Sequence, residues 1–307
     1  MAKWKMVDMH TNFLFYQISF LSKKQILKST FKMTENNQKI LFIGCGKMGS
    51  AIIGGLLKHG FEYQNFTILK PSKNNLIVGI KYISSYAELP KDYVADIVVF
   101  GFKPQVASEI ISDFVTRNFN QKMVDSETIF TSILAGKKTE FFTGILGEDA
   151  KILRIMPNLP TFVGEGSFGY FFNQNIKKSE IESLAPFLNG VGKNVALINE
   201  DLMNPVTAIS GSSPAYLFLF LSSMVEAGIK LGLDQESAEK LAKQAIYGSA
   251  KMALESDLNL EDLKKSVASK GGTTQAALDV LQKDDQLKNI VFDAMNAASQ
   301  RSVELSK

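Results

Sequence analysis

The chain has 307 residues, enough for two domains, and its 45% apolar and 21% charged content is that of an ordinary soluble globular protein. A net charge of +3 with no dense Lys/Arg stripe gives no argument for nucleic acid as a partner. The single cysteine, Cys45, excludes an intramolecular disulfide and a multi-cysteine metal site, and it fits a reducing, cytoplasmic compartment.

Residues 1–36 mix lysines with a short apolar patch, Phe13 to Leu21, that lacks a small-residue cleavage site, and the segment has no arginine for a transit peptide. Met33 precedes the first clear strand, so residues 1–36 are read as an extension, upstream of the true start or disordered. From Ile40 onward, short apolar runs alternate with amphipathic segments. Strands are predicted at 40–43, 66–69, 96–102, 128–134 and 151–155, with 166–172 and 194–198 extending the sheet at its far edge. Continuous apolar strands separated by helices predict a doubly wound parallel sheet of Rossmann type over residues 37–198. Beyond Glu200 the strands stop, and residues 199–307 are predicted to be all-helical. Pro214 opens a long apolar helix, Asp234 caps the next, and helices are expected at 260–268, 274–282 and 286–305. The apolar run Ala215–Ile229 is broken by Ser222, Ser223 and Glu226 and falls short of the ~20 residues a bilayer needs. It is expected to be a buried helix of the second domain, and no membrane is called for.

Gly44-Cys-Gly-Lys-Met-Gly49 fits the G-x-G-x-x-G pattern directly after a strand and at a helix start. The first glycine makes the tight turn, the second admits a pyrophosphate, and the third packs helix on strand. Cys45 reads as a small filler. After the second strand an NAD site would offer a carboxylate for the ribose; here Leu69-Lys-Pro-Ser-Lys73 offers Lys70, Ser72 and Lys73, which suit the 2′-phosphate of NADPH, with NADH the alternative. Lys103 ends the strongest strand at the edge where such sheets bind ligands, and Met156 and Asn158 end another, placed to flank a nicotinamide. Ser269, Gly271, Gly272, Thr273 and Thr274 open a helix whose free amides and dipole suit a small carboxylate.

The only histidines are His10, outside the fold proper, and His59, the last-turn residue of the first helix. A reaction with no strong general base fits this scarcity. Reduction of a C=N bond qualifies, because a protonated iminium accepts hydride directly and the protein mainly positions the two partners. Other readings stay open at this point: an NADP-dependent oxidoreductase acting on a different imine or on a 3-hydroxyacid with Lys270 as base, or a non-catalytic NADPH-binding regulatory protein.

From Ile40 to the C-terminus the chain closely resembles 1-pyrroline-5-carboxylate reductase, which closes proline biosynthesis. The resemblance rests on 42–49, Lys103-Pro104, Leu134-Ala-Gly136, Arg154-Ile-Met-Pro-Asn-Leu-Pro160, Gly211-Ser-Ser-Pro-Ala-Tyr216 and Ser269-Lys-Gly-Gly-Thr-Thr274. It implies reduction of 1-pyrroline-5-carboxylate to L-proline, NADPH being the usual donor. Cofactor contacts are implied for Ile43, Gly44, Cys45, Gly46, Lys47 and Met48, for 70–72, and for Lys103 and Ala135. Substrate contacts are implied for Glu200, Thr273 and Thr274, with the Thr274 hydroxyl at the ring nitrogen. The helical domain is implied to form a homodimer, dimers to build a decamer, and each site to join one copy's sheet domain to its partner's helices. Ser213, Leu159 and Lys270 replace the commoner glycine, threonine and proline, and Ser266 stands where some members have asparagine.

Overall fold

A computed structural model describes residues 37–71, 77–116, 123–125 and 127–306. The extension 1–36, His10, Ser72 and Lys73 lie outside the described residues. The segment Asn37–Lys307 is one compact unit.

The fold begins with β1 (Ile40–Ile43) and α1 (Lys47–Lys58), followed by β2 (Phe66–Leu69), β3 (Lys81–Ile83), β4 (Ile97–Phe100) and α2 (Ala107–Thr116). Then come β5 (Ile129–Ser132), α3 (Thr139–Leu146), β6 (Lys151–Ile155), β7 (Ser167–Phe172), α4 (Lys178–Val191) and β8 (Lys193–Ala196). Together the strands form one eight-stranded sheet in the order β3-β2-β1-β4-β5-β6-β7-β8. Its strands alternate side chains between two apolar layers. Ile40, Phe42 and Ile68 pack with Ile52, Leu56, Phe187 and Leu188 of α1 and α4. Leu41, Ile43 and Phe100 pack on the other side with Phe114 of α2 and Phe142 of α3. Phe100 stacks on Phe142 with ring centres 5.7 Å apart and planes 8° from parallel. Burial on both faces is why these strands read as unbroken apolar runs.

Two features depart from a simple parallel sheet. β3 has three residues, of which only Ile83 is buried, so no apolar run marks it. β7 runs antiparallel to β6. The connection between them holds only a short 3-10 helix, Leu159–Val163, and a parallel return needs a crossover of a dozen residues or more. The pairing of β8 with β7 is parallel again, through α4.

Helical structure starts at Glu200. A rod made of α5 (Met203–Val206), a π-turn (Thr207–Gly211) and α6 (Ser213–Lys230) is followed by α7 (Gln235–Glu255), α8 (Leu260–Val267), α9 (Thr273–Leu281) and α10 (Gln286–Glu304). Pro214 sits in the first turn of α6, and the Asp234 carboxylate caps α7 by accepting from the Ser237 N–H at 2.9 Å. The expectation that α6 is buried is corrected: only Pro214 of its residues is buried, while Phe218 and Leu219 are 60% and 70% exposed. Within one chain, α6 packs chiefly along α7, and its apolar side faces outward. Among the described residues, one stretch, Glu200–Lys230, is long and apolar enough to cross a membrane by length and composition.

Candidate active site

The sheet order reverses between β1 and β4, so the loops leaving those two strands part to open a crevice at their carboxyl ends. The three glycines of the first loop differ in what surrounds them. Gly44 has φ 76°, and a Cβ there would lie 3.0 Å from the Phe102 Cβ, so the tight turn needs glycine. A Cβ on Gly49 would lie 3.0 Å from the Cys45 sulfur and 3.7 Å from the Phe42 ring, the close packing of helix on strand. Around Gly46 a Cβ would meet nothing within 4 Å. That open space lies at the N-cap of α1 with no side chain capping it, a setting whose free amides could accept a pyrophosphate.

The loop residues therefore divide. Gly46 and Lys47 are exposed, while Met48 is half-buried and packs against the apolar layer under α1. Ile43 points its side chain into the core and gives its carbonyl to the Gly101 N–H at 2.9 Å; the Gly44 N–H goes to the Leu69 carbonyl at 2.8 Å. Cys45 is buried, its sulfur 3.7 Å from the Ser50 hydroxyl. Burial pushes its thiol above the ordinary range, against the pull of Ser50 and the Lys70 charge. A protonated, enclosed thiol is a filler, not a nucleophile. Lys70 follows β2 directly, its N–H donating to the Ile83 carbonyl at 3.0 Å.

Other predicted residues line the same edge. Lys103 is exposed immediately after β4 and caps the 3-10 turn Pro104–Val106. Ala135, half-buried, and Gly136 follow β5. Gly136 lies under the end of α10: a Cβ there would be 2.4 Å from the Leu305 carbonyl oxygen. His59 is the C-cap of α1, with Nδ1 2.9 Å from the Gly55 carbonyl, at the end of the helix opposite to the glycine loop.

Three predicted residues do something else. Both carboxylate oxygens of Glu200 are engaged. Oε1 accepts from Arg154 Nη1 and from the Thr139 N–H, each at 2.8 Å, and Oε2 accepts from the Thr139 hydroxyl at 2.8 Å. The side chains of Arg154 and Glu200 are 4% and 13% exposed. Glu200 is thus a brace joining β6, the start of α3 and the first helical residue of the second region. The Asn158 amide bonds Ser167 and the Ser210 carbonyl, and the Met156 methyl packs at Gly211, so both side chains have partners within the chain. Residue type and strand-end position could not reveal this, because the partners are remote in sequence.

The Gly271–Thr274 turn has the expected form. Gly271 has φ 73°, Gly272 is the N-cap of α9 without a side-chain cap, and the Gly272 N–H bonds the Ser269 carbonyl at 2.9 Å. A Cβ on Gly272 would fall 2.4 Å from the Ser269 hydroxyl oxygen, so glycine is what lets that hydroxyl close over the turn. Thr273 is exposed and Thr274 half-buried at the first turn, where helix amides have no intrahelical acceptor.

Known proteins share this arrangement. Residues 200–305 match the family described as pyrroline-5-carboxylate reductase dimerisation, and residues 39–128 match NADP oxidoreductase coenzyme F420-dependent. The pyrroline-5-carboxylate reductase of Pasteurella multocida is 36% identical over 277 residues, which span 88% of this chain and 98% of the relative. The solved pyrroline-5-carboxylate reductase from Coxiella burnetii superposes with a TM-score of 0.80 at 30% identity, covering 88% and 99% of the two chains. The Plasmodium falciparum pyrroline carboxylate reductase with NADP bound gives a TM-score of 0.76 at 33% identity, covering 89% and 100%.

Proposed function

The chain belongs to the pyrroline-5-carboxylate reductase family, and from that premise we propose how its residues perform the family's reaction. It reduces 1-pyrroline-5-carboxylate to L-proline with hydride from NADPH, the last step of proline biosynthesis, and it self-associates through residues 200–305. The observation that carries the assignment of the cofactor half-site is the contrast among three glycines: Gly44 and Gly49 enclosed, Gly46 open at a helix N-terminus. When bound, the reduced nicotinamide supplies the hydride.

In this reading the amides of the first turn of α1 and the exposed Gly46–Lys47 backbone hold the pyrophosphate. Lys70 and the neighbouring Ser72 and Lys73 take the 2′-phosphate, while Lys103 and Ala135 border the nucleotide from β4 and β5. Ser269, Gly271, Gly272 and Thr273 grip the substrate carboxylate through backbone amides and the Ser269 hydroxyl. The Thr274 hydroxyl orients the ring nitrogen. Hydride adds to the imine carbon, the C=N π pair moves to nitrogen, and the protonated iminium becomes a secondary amine with no proton abstracted from carbon. That balance needs no histidine base. Glu200 contributes indirectly, through Arg154 and Thr139.

The two turns are assigned to different copies, the glycine loop of one facing the Gly271–Thr274 turn of its partner, and dimers are assigned to a decamer. The boundary is placed at 198/199 and the compartment is taken as the cytoplasm. The test is oxidation of NADPH by the whole chain with a panel of imino acids, set beside reduction of NADP+ with a panel of 3-hydroxyacids. Consumption with 1-pyrroline-5-carboxylate, matched mole for mole by proline, is expected. Preference for a 3-hydroxyacid, or cofactor binding without turnover, would overturn the reading.

A further inference from the structure

We propose that Asn158 is a positioning residue, which sets the course of the dimerisation rod by holding its π-turn; this rests on the two-copy site proposed above. Asn158 is 5% exposed three residues beyond β6, the N-cap of the 3-10 helix that follows it, but its side chain makes no capping bond there. Its Oδ1 accepts from the Ser167 N–H at 3.0 Å. Its Nδ2 donates to the Ser167 hydroxyl at 3.1 Å and to the Ser210 carbonyl at 3.0 Å. Ser210 lies inside the π-turn, where the Ser212 N–H reaches back five residues to the Thr207 carbonyl at 2.8 Å. The same turn is pressed onto the sheet on either side. A Cβ on Gly169 of β7 would lie 2.9 Å from the Val206 methyl, and one on Gly211 would lie 3.4 Å from the Met156 methyl.

A π-turn holds one residue more than an α-turn, so annealing it to α would rotate everything downstream by ~100° and shift it by ~1.5 Å. Everything downstream includes the apolar side of α6 and the Gly271–Thr274 turn. The Asn158 amide keeps the extra residue in place, because it donates to the Ser210 carbonyl at 3.0 Å, a shorter bond than that oxygen's other one, from the Ser213 hydroxyl at 3.4 Å. The rod is thereby fixed at two points from one strand, Arg154 at Glu200 and Asn158 at Ser210. A small error at this root is delivered to the partner's active site.

Asn158→Asp keeps the size of the side chain and the acceptor for the Ser167 N–H, but turns an oxygen toward the Ser210 carbonyl. We expect kcat/KM for 1-pyrroline-5-carboxylate to fall about tenfold or more, while the Kd for NADPH measured by fluorescence stays within about twofold. Hydrogen exchange should quicken across 207–216 while β6 stays protected. Unchanged kcat/KM, unchanged exchange at 207–216, or a matching loss of NADPH affinity would each overturn the proposal, the last by returning Asn158 to the cofactor site. If the variant does not fold, Ser167→Ala, which removes one acceptor of the same amide, carries the test: lower kcat/KM with unchanged NADPH affinity supports the proposal, and parental kcat/KM refutes it. A parental chain with no activity on the imino acid would instead defeat the functional reading. The exchange pattern would then decide the role of Asn158 alone.

Discussion

Residues 40–196 bury Phe42, Phe66, Phe100, Phe114, Phe130, Phe142 and Phe187 between their own layers, whereas α6 to α10 leave Phe218, Leu219, Leu241, Ile290 and Phe292 open. Both regions carry apolar side chains at helical or strand spacing. They differ in where the complementary surface comes from. The sheet domain meets its own, while the helical region is matched by a dimerisation family, and its open face is proposed to meet a second copy. Stability of the first is therefore a property of the chain, and that of the second is tied to protein concentration.

The comparison can be broken most forcefully at α6. Phe218→Asp places a charge where an apolar surface is to be covered in both copies, at several kcal/mol per desolvated ion. It should dissociate the assembly in sedimentation and lower turnover by roughly 100-fold or more, yet leave NADPH binding to the sheet domain intact. Parental mass and activity would show that this face is not the one the second copy covers. Next in size, Phe100→Ala removes the ring at the centre of the Phe130, Phe142 and Phe114 cluster. A loss of about 4 kcal/mol in denaturant unfolding is expected, with little dependence on protein concentration. Smaller still, Thr274→Val should cut kcat about tenfold, about 1.4 kcal/mol in the barrier, with an unchanged melting temperature. Parental kcat would remove its hydroxyl from the chemistry.

The smallest effect concerns pH. Lys151 of β6 binds both Glu127 and Glu180. Hydrogen bonding to Lys151 holds the Glu127 carboxyl below its ordinary 4.5, so its contribution is present above that value and lost as pH falls through the lowered one. Burial pulls the Lys151 ammonium down, but the two carboxylates outweigh it and leave its pKa raised. Its contribution is therefore present below the ordinary 10.5 and fades only as pH rises beyond it. Lys151→Met should flatten the acid limb of the melting curve below about pH 4.5. An unchanged slope would mean the cluster titrates as it does in the unfolded chain.

Much of this was legible in the sequence, for physical reasons that also mark the boundary of legibility. Strands buried on two faces announce themselves as apolar runs, and the glycine loop as a backbone requirement that few residues can meet. β3 has one buried side chain and gives no such signal. The reversal of β7 depends on the absence of a crossover helix, which composition alone does not display. A π-turn hides inside helical periodicity, since one added residue in a rod leaves the local pattern helical. Asn158 and Glu200 looked like ligands because polar groups at strand ends often are; their partners lie 52 and 46 residues away along the chain. Whether α6 is covered by its own fold is not legible either, because a side chain covered by its own fold and one covered by another copy have the same chemistry.

The contact between Leu305 and Gly136 bears on how the protein is handled. The last helix ends against the turn of Ala135 and Gly136 after β5, proposed above to border the nucleotide, with no room between them for even a methyl group. Any affinity tag fused just beyond that helix would emerge at the rim of the crevice and crowd it. Recombinant preparations should carry such tags elsewhere or have them cleaved before kinetics are measured.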